Sequence, residues 1–121
     1  MLKVYECENC KKTIITKEGL KLEGWKELIA GSTDAAQEKH VPLVTKKCKT
    51  VKVDVGSVAH PMTAEHLIEW VALETEQGYQ VKYLQAGSEP VCTFTLADGD
   101  KAVAVYAYCN LHSLWKSDIC G

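Results

Sequence analysis

The chain has 121 residues, 46% hydrophobic and 25% charged, a length that supports one core and a mix ordinary for a globular protein. Its formal net charge of −2 excludes a global basic field for nucleic acid, and no stretch is long and apolar enough to span a bilayer. Met1 to Cys7 contain no apolar run of the signal-peptide kind, so a cytoplasmic location is expected.

Residues 1 to about 30 differ from the rest. Cys7 and Cys10 form a C-x-x-C between Val4-Tyr5 and Thr13-Ile14-Ile15-Thr16, and a Lys-rich stretch follows. This reads as a short hairpin arm without its own core. Ser32 to Lys39 reads as one helical turn, with Asp34 as cap and Gln37 at the reciprocal position. Val41-Pro42 forces extended backbone, and Val51 to Val55 alternates strictly. Leu67 to Thr75 and Tyr79 to Leu84, around Gly78, predict a hairpin, although periodicity alone also allows a helix over 64–75. Val91 to Leu96 and Ala102 to Tyr108, around Asp98-Gly99-Asp100, predict a second hairpin. Short strands at regular spacing point to an all-β antiparallel sandwich or barrel.

There are six cysteines and four histidines. In a cytosolic chain, cysteines are first metal ligands or buried thiols. His40 lies in Glu-Lys-His-Val-Pro. His60 and His66 lie in the loop-like run 56–66, with Pro61 between them. Cys109 and His112 have C-x-x-H spacing. All lie at strand ends or in loops, where a rigid β scaffold can present ligands. Imidazoles with one thiolate suit iron, copper or zinc. Five protein ligands are too many for structural zinc and leave one octahedral position open for chemistry. Taken singly, a His beside Pro is more often a hydrogen-bonded loop residue, and a lone Cys a small buried hydrophobe. Cys48 and Cys92 read as structural, and Cys120 as a tail thiol.

These three motifs closely resemble the superoxide reductases of the desulfoferrodoxin and neelaredoxin family, over roughly residues 30 to 116. The resemblance implies an immunoglobulin-like β-sandwich of about seven strands. It implies one mononuclear iron, Fe(2+)/Fe(3+), with His40, His60, His66 and His112 equatorial, His112 through Nδ1, and the Cys109 thiolate axial. It implies that Glu38 caps the sixth position in the ferric form and that Lys39 lies near the open site. Lys46, Lys47 and Lys116 are further candidates for attracting superoxide. The implied reaction is reduction of superoxide to hydrogen peroxide without O₂, with a rubredoxin-like donor and a homodimeric or homotetrameric assembly. Leu111 and His112 offer backbone N–H groups to the Cys109 sulfur. The organisation expected is an arm over 1–30 with an incomplete metal site and an iron-binding sandwich over 31–121. The sequence departs from the family in having Ala59 where Pro is common. It also has Leu22-Glu23-Gly24 where the arm's second, adjacent cysteine pair would stand. Two thiolates cannot close a tetrahedral site within one chain, which leaves a site shared across a dimer, a disulfide or, as favoured here, a vestigial pair. A non-catalytic metal-binding module and a thiol protein acting through Cys7 and Cys10 are the competing classes.

Overall fold

Strands dominate because apolar residues recur at every second position and Gly or Asp punctuates them. The computed structural model describes residues 1–119; Cys120, expected as a tail thiol, lies outside them. The elements in order are β1 (Lys3–Cys7), β2 (Thr13–Thr16), β3 (Trp25–Leu28), α1 (Gln37–His40), β4 (Pro42–Lys47), β5 (Thr50–Val55), β6 (Ile68–Thr75), β7 (Tyr79–Tyr83), β8 (Val91–Thr95), β9 (Ala102–Cys109) and β10 (Ser113–Asp118). The ten strands, more than the seven or so expected, form three sheets ordered β2-β1-β3, β10-β9-β6-β7 and β4-β5-β8. The β10-β9-β6-β7 and β4-β5-β8 sheets face each other as the sandwich, and the surplus over seven strands is the N-terminal sheet. No helix among the described residues is long and apolar enough to cross a membrane.

The central sheet is covered on both faces, which is why β6 and β9 are buried almost throughout. On one face Val71, Leu73, Val105, Ala107 and Cys109 pack with Val51, Val53, Val55 and Phe94 of the opposite sheet. On the other, Trp70, Ala72, Ala104, Tyr106 and Tyr108 pack with Leu2 and Val4, with Ile15 and Leu28 at the margin. Alternation along β9 sends odd and even residues to different cores. The N-terminal sheet is thus a lid on the central sheet. Polar contacts reinforce it: Trp70 Nε1 donates to Thr13 Oγ1 at 2.9 Å, and Tyr108 Oη donates to Glu6.

Two expectations are corrected. The segments 91–96 and 102–108 are not a hairpin: β8 pairs with β5, whereas β9 pairs with β6 and β10. The Asp98-Gly99 corner carries the chain from one sheet to the other, placing Phe94 and Val105 on opposite sides of one core. The helical turn is α1 alone, and its N-cap is Ala36 with no side-chain cap, not Asp34. The hairpin about Gly78 does form, with β6 and β7 antiparallel.

Candidate metal centre

Three stretches of chain at one end of the sandwich deliver the polar residues singled out above. α1 ends on His40, the β5–β6 connection carries His60 and His66, β9 ends on Cys109, and the β9–β10 turn carries His112. The imidazoles form a closed circuit. Centroid separations are 4.6 Å for His40–His60, 4.6 Å for His60–His66, 5.1 Å for His66–His112 and 4.8 Å for His112–His40. Each neighbouring pair is nearly perpendicular, with interplanar angles of 76° to 84°, and His40 lies across from His66 at 6.4 Å. Donor atoms of His40, His66, Cys109 and His112 all lie within 4.8 Å of one another.

The hydrogen-bond partners set the tautomers. His40 Nδ1 bonds the Ala36 carbonyl at 2.7 Å, and His60 Nδ1 bonds the Pro61 carbonyl at 2.7 Å. A carbonyl only accepts, so both Nδ1 atoms carry the proton and both Nε2 atoms carry a lone pair. Those Nε2 atoms face each other at 3.1 Å, and His40 Nε2 faces His112 Nδ1 at 3.0 Å. Two lone pairs so placed repel unless a cation lies between them. His66 Nε2 is buried without a hydrogen-bond partner among the described residues. Burial holds the His40 and His66 imidazoles below their usual range and pushes His60 down to about 4, so they present neutral donors at neutral pH. Buried nitrogen lone pairs that converge on one another beside a thiol fit a borderline-soft metal such as iron.

Cys109 is fully buried. Burial raises its thiol, while the Leu111 and His112 backbone N–H groups act the other way. Those N–H bonds are the ones expected from the C-x-x-H turn. Ser113 completes the turn with φ 66°.

The remaining candidates are distributed unevenly. Lys39 is exposed, and its charge is felt at both His40 and His66. Glu38 is exposed; its backbone carbonyl accepts from Val58 N–H at 2.8 Å and Ser57 Oγ at 3.3 Å. Among the described residues its carboxylate makes no ion pair. Lys46 and Lys47 sit at the far end of β4, about 15 Å along the strand from Pro42 at ~3.3 Å per residue, and are no part of this cluster. Lys116 is engaged with Asp118 at 3.1 Å.

Two supporting residues escape a sequence reading. Trp115 stacks on His40 with centroids 4.9 Å apart and donates from Nε1 to the His112 carbonyl at 3.0 Å. Asn110 straddles His66: its Oδ1 accepts from Leu67 N–H at 3.0 Å and its Nδ2 donates to the Glu65 carbonyl at 2.9 Å. The only signal for either is its place inside the Cys109–Trp115 run.

Residues 32–118 match the desulfoferrodoxin family model. The desulfoferrodoxin of Clostridium acetobutylicum is 49% identical over 94 residues, 77% of this chain and 72% of that protein. The desulfoferrodoxin of Syntrophotalea carbinolica is 37% identical over 97% of this chain and 96% of its own length. Among solved structures, the superoxide reductase from Treponema pallidum superposes with a TM-score of 0.75 at 46% identity, covering 78% of each chain. The one-iron superoxide reductase from Giardia intestinalis superposes with a TM-score of 0.59 at 32% identity, covering 68% of this chain and 97% of that one.

Proposed function

The chain belongs to the desulfoferrodoxin family, and from that membership we propose that it is a superoxide reductase. Its iron would be held by His40, His60, His66, His112 and Cys109, one per chain. The observation that carries this is that His40, His66 and His112 converge with the buried Cys109 thiol within 4.8 Å, with His60, outside that tightest group, facing His40 Nε2 to Nε2 at 3.1 Å. The bound iron would supply the single electron that, with two protons, turns superoxide into hydrogen peroxide.

The protein's part is to hold donors and manage charge. Ala36 and Pro61 carbonyls keep the protons of His40 and His60 on Nδ1, leaving Nε2 free to ligate. Leu111 and His112 N–H groups favour the thiolate of Cys109. Lys39 attracts the anionic substrate; the net charge of −2 makes this local field the one that matters. Glu38 is assigned as the replaceable carboxylate that closes the site after peroxide leaves. Protons come from solvent. We assign the reductant to a rubredoxin-like carrier, and infer a cytoplasmic homodimer or homotetramer, both from the family resemblance.

Metal analysis with anaerobic turnover against a superoxide source tests this. One iron per chain is expected, with a thiolate charge-transfer band that Cys109→Ser removes. A Cys109→Ser protein that keeps both band and iron would overturn the ligand set.

A further inference from the structure

A second reactive group lies outside the four-histidine centre. Cys7 ends β1 and Cys10 lies in the turn beyond it. The Cys10 N–H donates to Cys7 Sγ at 3.4 Å. The turn is braced by three backbone bonds: Cys7 N–H to Lys12 at 2.8 Å, Lys11 N–H to Cys7 at 3.0 Å and Glu8 N–H to Gly24 at 2.8 Å. Cys10 is exposed and Cys7 partly so. Among the described residues, the group of donors suited to a metal contains neither thiol. Two thiolates alone leave a tetrahedral ion half-coordinated, so the chemistry of the pair itself is thiol–disulfide exchange.

We propose that Cys7 and Cys10 form a peroxide-oxidised dithiol, a second activity that consumes hydrogen peroxide. Cys7 is the attacking sulfur because the turn aims the Cys10 N–H at it. The N–H of Cys10 first, then the Cys10 side chain and the N–H groups of Asn9 and Lys11, hold its thiol below the ordinary range. The Cys7 thiolate attacks one peroxide oxygen; an S–O bond forms, the O–O bond breaks, and hydroxide leaves and is protonated to water. The Cys10 sulfur then attacks the Cys7 sulfenic acid; an S–S bond forms, the S–O bond breaks, and a second water leaves. The peroxide gains two electrons and the dithiol loses two. A cellular dithiol reductant restores the pair by exchange. The peroxide supply rests on the superoxide-reductase reading; the thiol chemistry does not.

The test uses the full-length, metal-loaded protein with substoichiometric hydrogen peroxide under anaerobic conditions. Free thiols are then alkylated and mapped by peptide mass. Exposed Cys48 serves as the internal reference. A Cys7–Cys10 disulfide should form at least about ten-fold faster than Cys48 oxidises. Cys10→Ser should stop at a Cys7 sulfenic acid trapped by a dimedone-type reagent, and Cys7→Ser should leave Cys10 reduced. Equal oxidation rates for Cys7 and Cys48, or a pair shielded from alkylation by a metal that a chelator removes, would overturn the proposal. A parallel run replaces peroxide with a superoxide generator. Disulfide with peroxide, together with superoxide decay no faster than its spontaneous dismutation in the presence of the reduced, metal-loaded protein, would sink the superoxide-reductase reading and leave the dithiol standing. Peroxide accumulating from superoxide with both thiols still free would sink the dithiol alone.

Discussion

His66 is tied down mainly by a residue that ligates nothing. Asn110 bonds the residues on either side of it, and its own N–H reaches the Leu67 carbonyl at 3.2 Å. Thr63 adds a contact to the His66 N–H at 3.1 Å. Supports of this kind typically change metal affinity ten- to hundred-fold. Asn110→Ala should therefore weaken metal retention roughly ten-fold or more in competition with a chelator. Asn110→Asp, which keeps the acceptor and loses the donor, should fall between. Retention equal to that of the unmutated protein would reduce Asn110 to a turn former. Lys39 is proposed to act by charge instead. Lys39→Ala should slow superoxide capture by roughly ten-fold at low salt, and added salt should bring the two rates together. Lys39→Arg should keep most of the rate. Equal rates and equal salt slopes for the Ala variant and the unmutated protein would leave Lys39 an ordinary surface charge.

At the scale of elements, the site depends on two connections pressed against each other. A Cβ at Gly56 would meet the Glu38 carbonyl oxygen at 2.5 Å and the Val41 carbonyl oxygen at 3.0 Å. Only glycine lets the loop carrying His60 pass so close beneath the turn carrying His40. The approach is locked by Val58 N–H to the Glu38 carbonyl, while His60 N–H to the Val55 carbonyl at 3.0 Å closes the loop on itself. Gly56→Ala should cost about 1–3 kcal/mol, as overpacking does, and should also lower iron content because the two segments proposed to bear ligands are pushed apart. Denaturant melts paired with metal analysis check both. A variant matching the parent in midpoint and iron would show that the contact yields without consequence.

Across the whole molecule, the N-terminal sheet hides the aromatic face of the central sheet, and a buried carboxylate fastens it. Glu74 accepts from Tyr106 Oη at 3.1 Å and Leu2 N–H at 3.3 Å, and lies 3.3 Å from the N-terminal ammonium. Burial alone would raise its carboxyl, but these donors outweigh burial and hold it below the ordinary value. A carboxyl lowered in the folded state adds stability that is full above the ordinary range, near ~4.3, and is lost as pH falls through the lowered value. Acid should therefore release the arm, exposing residues 1–30 to protease before the sandwich unfolds. Glu74→Gln should loosen the arm already at neutral pH and flatten its dependence on acid. An arm equally protected in both proteins at every pH would place its anchorage in the apolar contacts alone.

The sequence alone determines the class of the fold and the chemistry on offer. Period-two alternation dictates strands, as along Val51 to Val55. Histidines beside Pro, and a cysteine three residues from a histidine, put metal-type donors in loops. These are local properties, carried by spacing and residue type. Tertiary structure decides what depends on partners far along the chain. Alternation shows that a strand has faces but not what covers them, so the hairpin expected for 91–108 splits between two sheets. The same ambiguity hides the second core beneath the arm. Asn110 and Trp115 carry no chemical signature of their own. Their roles exist only because Glu65, Leu67 and His40 are brought beside them. The lone pairs of His40 and His60 meet at 3.1 Å because Ala36 and Pro61 hold the opposite ring nitrogens. Backbone carbonyls direct that convergence, and every residue has one, so no pattern of side chains announces it.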